Sequence, residues 1–215
     1  MTLGPAYRIE TERLVLRCFE LHDARAWNAL LAHEGPRLSR SLAWAREEPR
    51  PLAAHVELVR AFRSRFDADE EWAYALVERE TGALVGSLAL RPIRDEPDAA
   101  SLGYWLAAAA EGRGLAFEAC GALVRAAFEI QGCARLEIHC DASNARSRAL
   151  AERLGFRLDA ELRARGHTPG EARAVHSLFA AEFAAAPAAG VAARAFDALD
   201  EPLPAAAPPR RAGFR

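Results

Sequence analysis

The run Ser101-Leu102-Gly103-Tyr104-Trp105-Leu106 leads through a small-residue stretch into Glu111-Gly112-Arg113-Gly114-Leu115-Ala116, and then into a helical pattern from Phe117 to Gln131. This order reads as strand, glycine turn and helix. Gly112 and Gly114 can take backbone angles closed to other residues and let a ligand approach the main chain, while the helix behind them opens with unpaired N–H groups. Such a helix start can seat an anion. Two nucleotide-binding alternatives fail on the residues themselves. The dinucleotide fingerprint wants a third glycine where Phe117 stands, and the P-loop wants Gly-Lys-Ser/Thr in a chain that contains no lysine. The same absence excludes a Schiff-base lysine. The plain alternative is a tight turn that binds nothing.

Around this segment, 215 residues with 51% hydrophobic content and a net charge of −2 predict one domain with a single core. No basic excess points to nucleic acid. Cys18, Cys120, Cys133 and Cys140 follow neither C-x-x-C nor Cys/His spacing, so they predict reduced core residues and no metal site. No apolar run approaches the ~20 residues of a membrane span, and the start lacks a signal-peptide core, so a soluble cytoplasmic protein is expected.

Residues 1–7 read as a loose lead, and Leu14-Val15-Leu16 as the first strand. Asp23 is placed to cap a helix over 24–32 that Gly35-Pro36 should stop. An irregular segment between His33 and Pro51 carries Leu42 and Trp44, and a helix follows over 51–66. Strands over 72–77 and 84–90 flank a turn at 80–83, residues 92–99 read as a loop, and 100–106 pairs back. After the glycine turn and its helix come a strand over 135–140, a polar turn, a second helix over 145–153 and a closing strand over 175–183. A βαβ unit with parallel strands is implied. From Ala184 the Ala/Pro composition predicts a mobile, disordered tail, so the domain is expected to span 8–183.

Residues 111–116, with Gly114 and Ala116 in register, resemble the phosphate-binding turn of the GNAT superfamily of N-acetyltransferases. Asn144-Ala145-Arg146-Ser147 followed by Leu154-Gly155-Phe156 resembles the N-x-x-S…LGF segment of the RimJ/RimL-type branch, which acetylates ribosomal protein N-termini. Glu10 to Arg17 is similar to that branch's opening strand, and Ser41 to Trp44 to its substrate-side loop. The resemblance implies an α/β fold: a mixed, mostly antiparallel central sheet flanked by helices, with a parallel βαβ cofactor site. Three departures stand out. Glu111 replaces the usual Gln or Arg and is expected to point to solvent, Asp159-Ala160 replace an acid-glycine pair, and Ala174 and His176 replace an Asp and a Tyr near the substrate.

The resemblance further implies acetyl-CoA as co-substrate and an amine as acceptor, either a protein N-terminus or a small molecule. Backbone near Arg113, Gly114, Leu115 and Ala116 would seat the pyrophosphate, main chain near Leu106 and Ala107 would line the pantetheine and carbonyl, and Asn144 would bond the pantetheine arm. Ser147 would face the thiol as the catalytic hydroxyl, with Leu42 and Trp44 on the acceptor side. An α-amine of pKa ~8 is already roughly 10% neutral at pH 7, against about 0.04% for a lysine amine, so an N-terminal acceptor asks little of a base. Asp141, His139, Asp159 and Glu161 stand as candidate bases. A non-catalytic acyl-CoA-binding module and an inert scaffold are the other two classes, and a homodimer is the alternative to a monomer.

Overall fold

The computed structural model describes residues 5–204. Ten strands form one sheet: β1 (Arg8–Glu10), β2 (Leu14–Cys18), β3 (Trp72–Glu78), β4 (Leu84–Ile93), β5 (Glu96–Leu106), β6 (Arg135–Asp141), β7 (Arg157–Leu162), β8 (Arg173–Phe179), β9 (Arg194–Phe196) and β10 (Pro202–Leu203). Their order is β10-β9-β1-β2-β3-β4-β5-β6-β8-β7. Only β5 and β6 run parallel, as a strand–helix–strand crossover requires. The central strands are buried on both faces with unequal fillings. Trp72, Tyr74 and Leu76 face one way with Leu88 and Leu90, while Ala73, Ala75 and Ala89 face the other. The bulky face is covered by α3 (Leu115–Glu129) and α4 (Ala145–Leu154), and the alanine face by α1 (Asp23–Leu38) and α2 (Leu52–Asp67), whose Trp27, Leu31 and Val59 fill the space the alanines leave.

Several boundaries differ from the sequence pattern for identifiable reasons. Helix α1 does not stop at Gly35-Pro36 but continues to Leu38, because its last turn is held from outside. Arg37 bonds Glu34 and reaches the main-chain oxygen of Leu106, and a side chain at Gly35 would strike the Glu48 Cβ at 2.7 Å. Asp23 does not cap that helix; its carboxylate takes two bonds from Arg17 and one from the Glu20 N–H. The 92–99 stretch is no loop: β4 and β5 meet in a tight hairpin with Asp95 at φ 65°.

The stretch resembling one opening strand is a hairpin, β1 and β2, whose turn docks on the first turn of α3. Glu118 accepts from Thr11 Oγ1 at 2.6 Å, from the Arg13 N–H at 2.9 Å and from Arg13 Nε at 2.7 Å. Burial alone would raise the Glu118 carboxyl; the bonds from Thr11 and Arg13 outweigh it and hold the group below its ordinary range. The glycine turn thus rests on a fixed base.

The chain is also ordered beyond both expected limits. Ala6 is buried and accepts the Tyr74 hydroxyl, so residues 5–7 are anchored. The mobile tail expected from Ala184 is, through residue 204, part of the fold. A short helix α5 (Ala180–Phe183) leads to a 3₁₀ turn (Pro187–Gly190), which packs so closely that a Cβ on Gly121 of α3 would lie 2.5 Å from Val191. Strand β9 then pairs with β1. Alanine-rich composition lowers any composition-based estimate of order, yet small side chains are what permit this flush contact. The remainder of the expected tail, 205–215, lies outside the described residues.

Candidate active site

Strands β5 and β6 pair only from Ala99–Ser101 against Arg135–Glu137. Beyond that, β5 runs on to Leu106 and β6 to Asp141 without pairing, and α3 and α4 follow the two strand ends. The opening is a cavity of about 1120 Å³, larger than a single small ligand needs.

The helix N-termini at its rim differ. At α4, Asn144 caps in the ordinary way, its Oδ1 accepting from the Ser147 N–H at 3.1 Å. At α3 the capping position is Gly114, in the left-handed region at φ 79°, with no side chain to close the first turn. Its N–H groups therefore stay available for an external anion. An added Cβ at Gly112 would meet nothing within 4 Å, and at Gly114 only Arg13 Nη2 at 3.6 Å, so the outer side of the turn is open.

Leu106, Gly114, Leu115, Ala116 and Asn144 all line the cavity, as do Leu42, Trp44 and Ser147. Two of the sequence-predicted cofactor residues do not. The Ala107 N–H is bonded to the Val85 carbonyl, and the Arg113 side chain to Glu78 at 2.6 Å, which leaves the main chain of Arg113 as the part the resemblance assigns to the phosphates. Glu111, expected to point to solvent, instead bridges Arg37 at 2.5 Å and Arg146 at 2.9 Å across the mouth.

Of the candidate bases, Asp141 is buried and saturated: it accepts from the His167 N–H, the Thr168 N–H and Thr168 Oγ1. His139 lines the cavity with its Nε2 on Glu137 at 2.5 Å. Asp159 and Glu161 lie on the exposed edge strand β7, away from the cavity, with Glu161 paired to Arg148. Ala174 and His176, read as changes near the substrate, are fully buried and do not line it. The His176 ring lies near Arg148 and Glu152 of α4, and burial, then Arg148, lowers its pKa.

Tyr104 was not legible as a site residue, since it sits in a strand that reads as ordinary alternation. Its hydroxyl lies 2.9 Å from Ser147 Oγ. Burial, then the nearby Cys120, raises the Tyr104 pKa, so it stays a neutral phenol able to donate to the serine. His167, in the β7–β8 loop, was equally unmarked. It reaches the cavity because Asp141 holds its N–H and Arg46 holds its carbonyl at 3.1 Å.

On the other wall, Trp44 is 38% exposed and packs at 6.2 Å, tilted, on Trp105, itself edge-to-face at 5.3 Å on Trp27. A partly exposed indole backed by an aromatic cluster is suited to holding an acceptor. Trp44→Ala is expected to raise the acceptor KM by about ten-fold, or ~1.4 kcal/mol, with CoA affinity unchanged. Steady-state kinetics beside isothermal titration will show it; equal loss of both would make Trp44 structural.

Known proteins share this fold. Residues 13–157 match the model of the Acetyltransferase (GNAT) domain. A protein of Bacillus subtilis (strain 168), YdaF, whose name assigns it to the ribosomal N-acetyltransferases, is 31% identical over 145 residues, covering 67% of this chain and 78% of its own. Among solved structures, Mycobacterium smegmatis RimJ with CoA-disulfide superposes with a TM-score of 0.75 at 19% identity, covering 86% of this chain and 95% of that one. RimL, the ribosomal L7/L12 alpha-N-protein acetyltransferase, in complex with coenzyme A gives 0.73 at 20% identity, covering 79% and 95%. With the domain matched over most of its length, the split sheet and the open helix start beside a hydroxyl pair, the chain belongs to the GNAT family of acetyltransferases, in its RimJ/RimL-type branch.

Proposed function

We propose that this chain transfers the acetyl group of acetyl-CoA to a primary amine, with a protein N-terminal α-amine as the preferred acceptor. One observation carries the reading: a single cavity holds both the uncapped N-terminus of α3 and the Tyr104–Ser147 hydroxyl pair. The first is suited to a pyrophosphate and the second to a departing thiolate. The co-substrate supplies an activated thioester. The protein then has three tasks.

The N–H groups of the first turn of α3 hold the phosphates at fixed reach. Asn144, whose Oδ1 is taken by the α4 cap, keeps its amide nitrogen to donate to an amide oxygen of the pantetheine arm. Ser147 Oγ donates a proton to sulfur as the C–S bond breaks, and Tyr104 resupplies it along the 2.9 Å contact. The RimL and RimJ likenesses and the YdaF relative support a ribosomal protein end as the acceptor, which would place the reaction in the cytoplasm. Among the described residues, no helix is long and apolar enough to cross a membrane.

The test is to incubate the purified chain with acetyl-CoA and a panel of N-terminal peptides and small amines, following thiol release and product mass. Acetylated peptide α-amines support the reading, and transfer to small amines alone narrows it to a small-molecule enzyme. Thermal stabilisation by CoA without thiol release would make it a binding module.

A further inference from the structure

The geometry points to His167 as the group that takes the proton from the acceptor amine; this rests on the transferase reading above. A neutral amine attacking a thioester acquires a positive nitrogen whose proton must leave before the product is stable. Some cavity group therefore has to accept it, even from an N-terminal amine. Most titratable groups there are already committed. Glu111 is shared by two arginines and Asp141 is saturated by N–H and O–H donors; His139, with its Nε2 on Glu137, is the rival that the experiment below separates from His167. Burial raises the Cys140 thiol above its ordinary range, so it stays protonated.

His167 differs. Its backbone is clamped at both ends, N–H on the Asp141 carboxylate and carbonyl on Arg46, so the imidazole is held against the cavity with little backbone freedom. The charged and titratable groups facing it are Arg173 and Asp141, on the strands beneath, together with His139; Arg46 meets it from the Ala43–Glu47 turn (a 3₁₀ turn). Burial first, then Arg173, lowers its pKa below 6.5, with Asp141 opposing. The ring is therefore neutral, in its accepting form, at pH 7 and is protonated only under more acid conditions.

In the step, the C–N bond forms and the C–S bond breaks. The nitrogen's surplus proton passes to His167, sulfur leaves with the C–S electron pair and receives a proton from Ser147, and both groups re-equilibrate with water. Thiol and amide are the products.

The experiment is the pH profile of kcat at saturating acceptor for the parent chain, His167→Gln and His139→Gln, with CoA affinity measured alongside. The clamps on His167 are main-chain bonds that glutamine keeps, so the variant should fold and bind CoA normally. In the parent chain kcat should rise through an inflection below pH 6.5 and then level. His167→Gln should be about 10²-fold slower at pH 7, lack that inflection and keep climbing with pH. Added imidazole should restore part of the rate in His167→Gly. Parent-like rate and profile in His167→Gln would overturn the assignment, as would loss of the inflection only in His139→Gln. A parent chain that binds CoA yet acetylates no amine would defeat the transferase reading itself, and the proton role with it.

Discussion

Ser147→Ala is expected to bind CoA within a few-fold of the parent chain and to turn over at least ten-fold more slowly. A hydroxyl that protonates a leaving group is typically worth ~10²- to 10⁴-fold, and a water entering the space of the lost oxygen recovers part of that. In the proposed relay Tyr104 is a second member, since it lies 2.9 Å from the serine and is kept in its phenol form by burial. Tyr104→Phe should therefore lower kcat by a smaller factor, about three- to ten-fold, and add almost nothing on top of Ser147→Ala, because the two act in series. Ser147→Cys should regain part of the rate. Pre-steady-state and steady-state kinetics on the parent chain and the four variants decide it. Near-parental kcat in Ser147→Ala would leave a water as the proton donor, whereas full additivity in the double variant would separate the tyrosine from the relay.

Gly114→Val is expected to weaken CoA binding by roughly ten- to a hundred-fold in a folded protein, the equivalent of about 1–3 kcal/mol of backbone strain. A β-branched residue is an outlier at φ 79°, so the turn must rotate to accept it and carry the N–H groups out of line. The position is exposed, at the entrance of α3 and outside its core, which is why the fold should survive. Isothermal titration with CoA and a thermal melt together give the answer. Unchanged affinity in a folded variant would remove the turn from the phosphate site.

What the sequence showed best was what local chemistry determines. The glycine turn and the Ser147 register are set within a few residues of themselves, and the cavity contains both. What it concealed depends on contacts between distant segments. Helix α1 passes through Pro36 because Arg37 is anchored on β5 and Glu111, partners about 70 residues away. Asp141 has the composition of a base, but a loop 26 residues on turns it into a structural acceptor. That same loop delivers His167, which no pattern distinguishes from a solvated histidine. Tyr104 was visible as a residue but not as a partner, since its meaning lies in an oxygen 43 positions later.

The bridge from Glu111 to Arg37 and Arg146 gives the mouth of the cavity an internal counterion. Guanidinium groups that await a phosphate ordinarily hold mobile anions from solution, and binding sets those anions free, so affinity falls steeply with added salt. Here the anion is tethered to the turn proposed to receive the phosphates. A dianionic ligand arriving there trades places with a carboxylate that cannot diffuse away, and no solvent ion is released for those two arginines. The affinity for CoA should accordingly change little between low and high ionic strength. Glu111→Gln should tighten binding at low salt and make it markedly salt-sensitive.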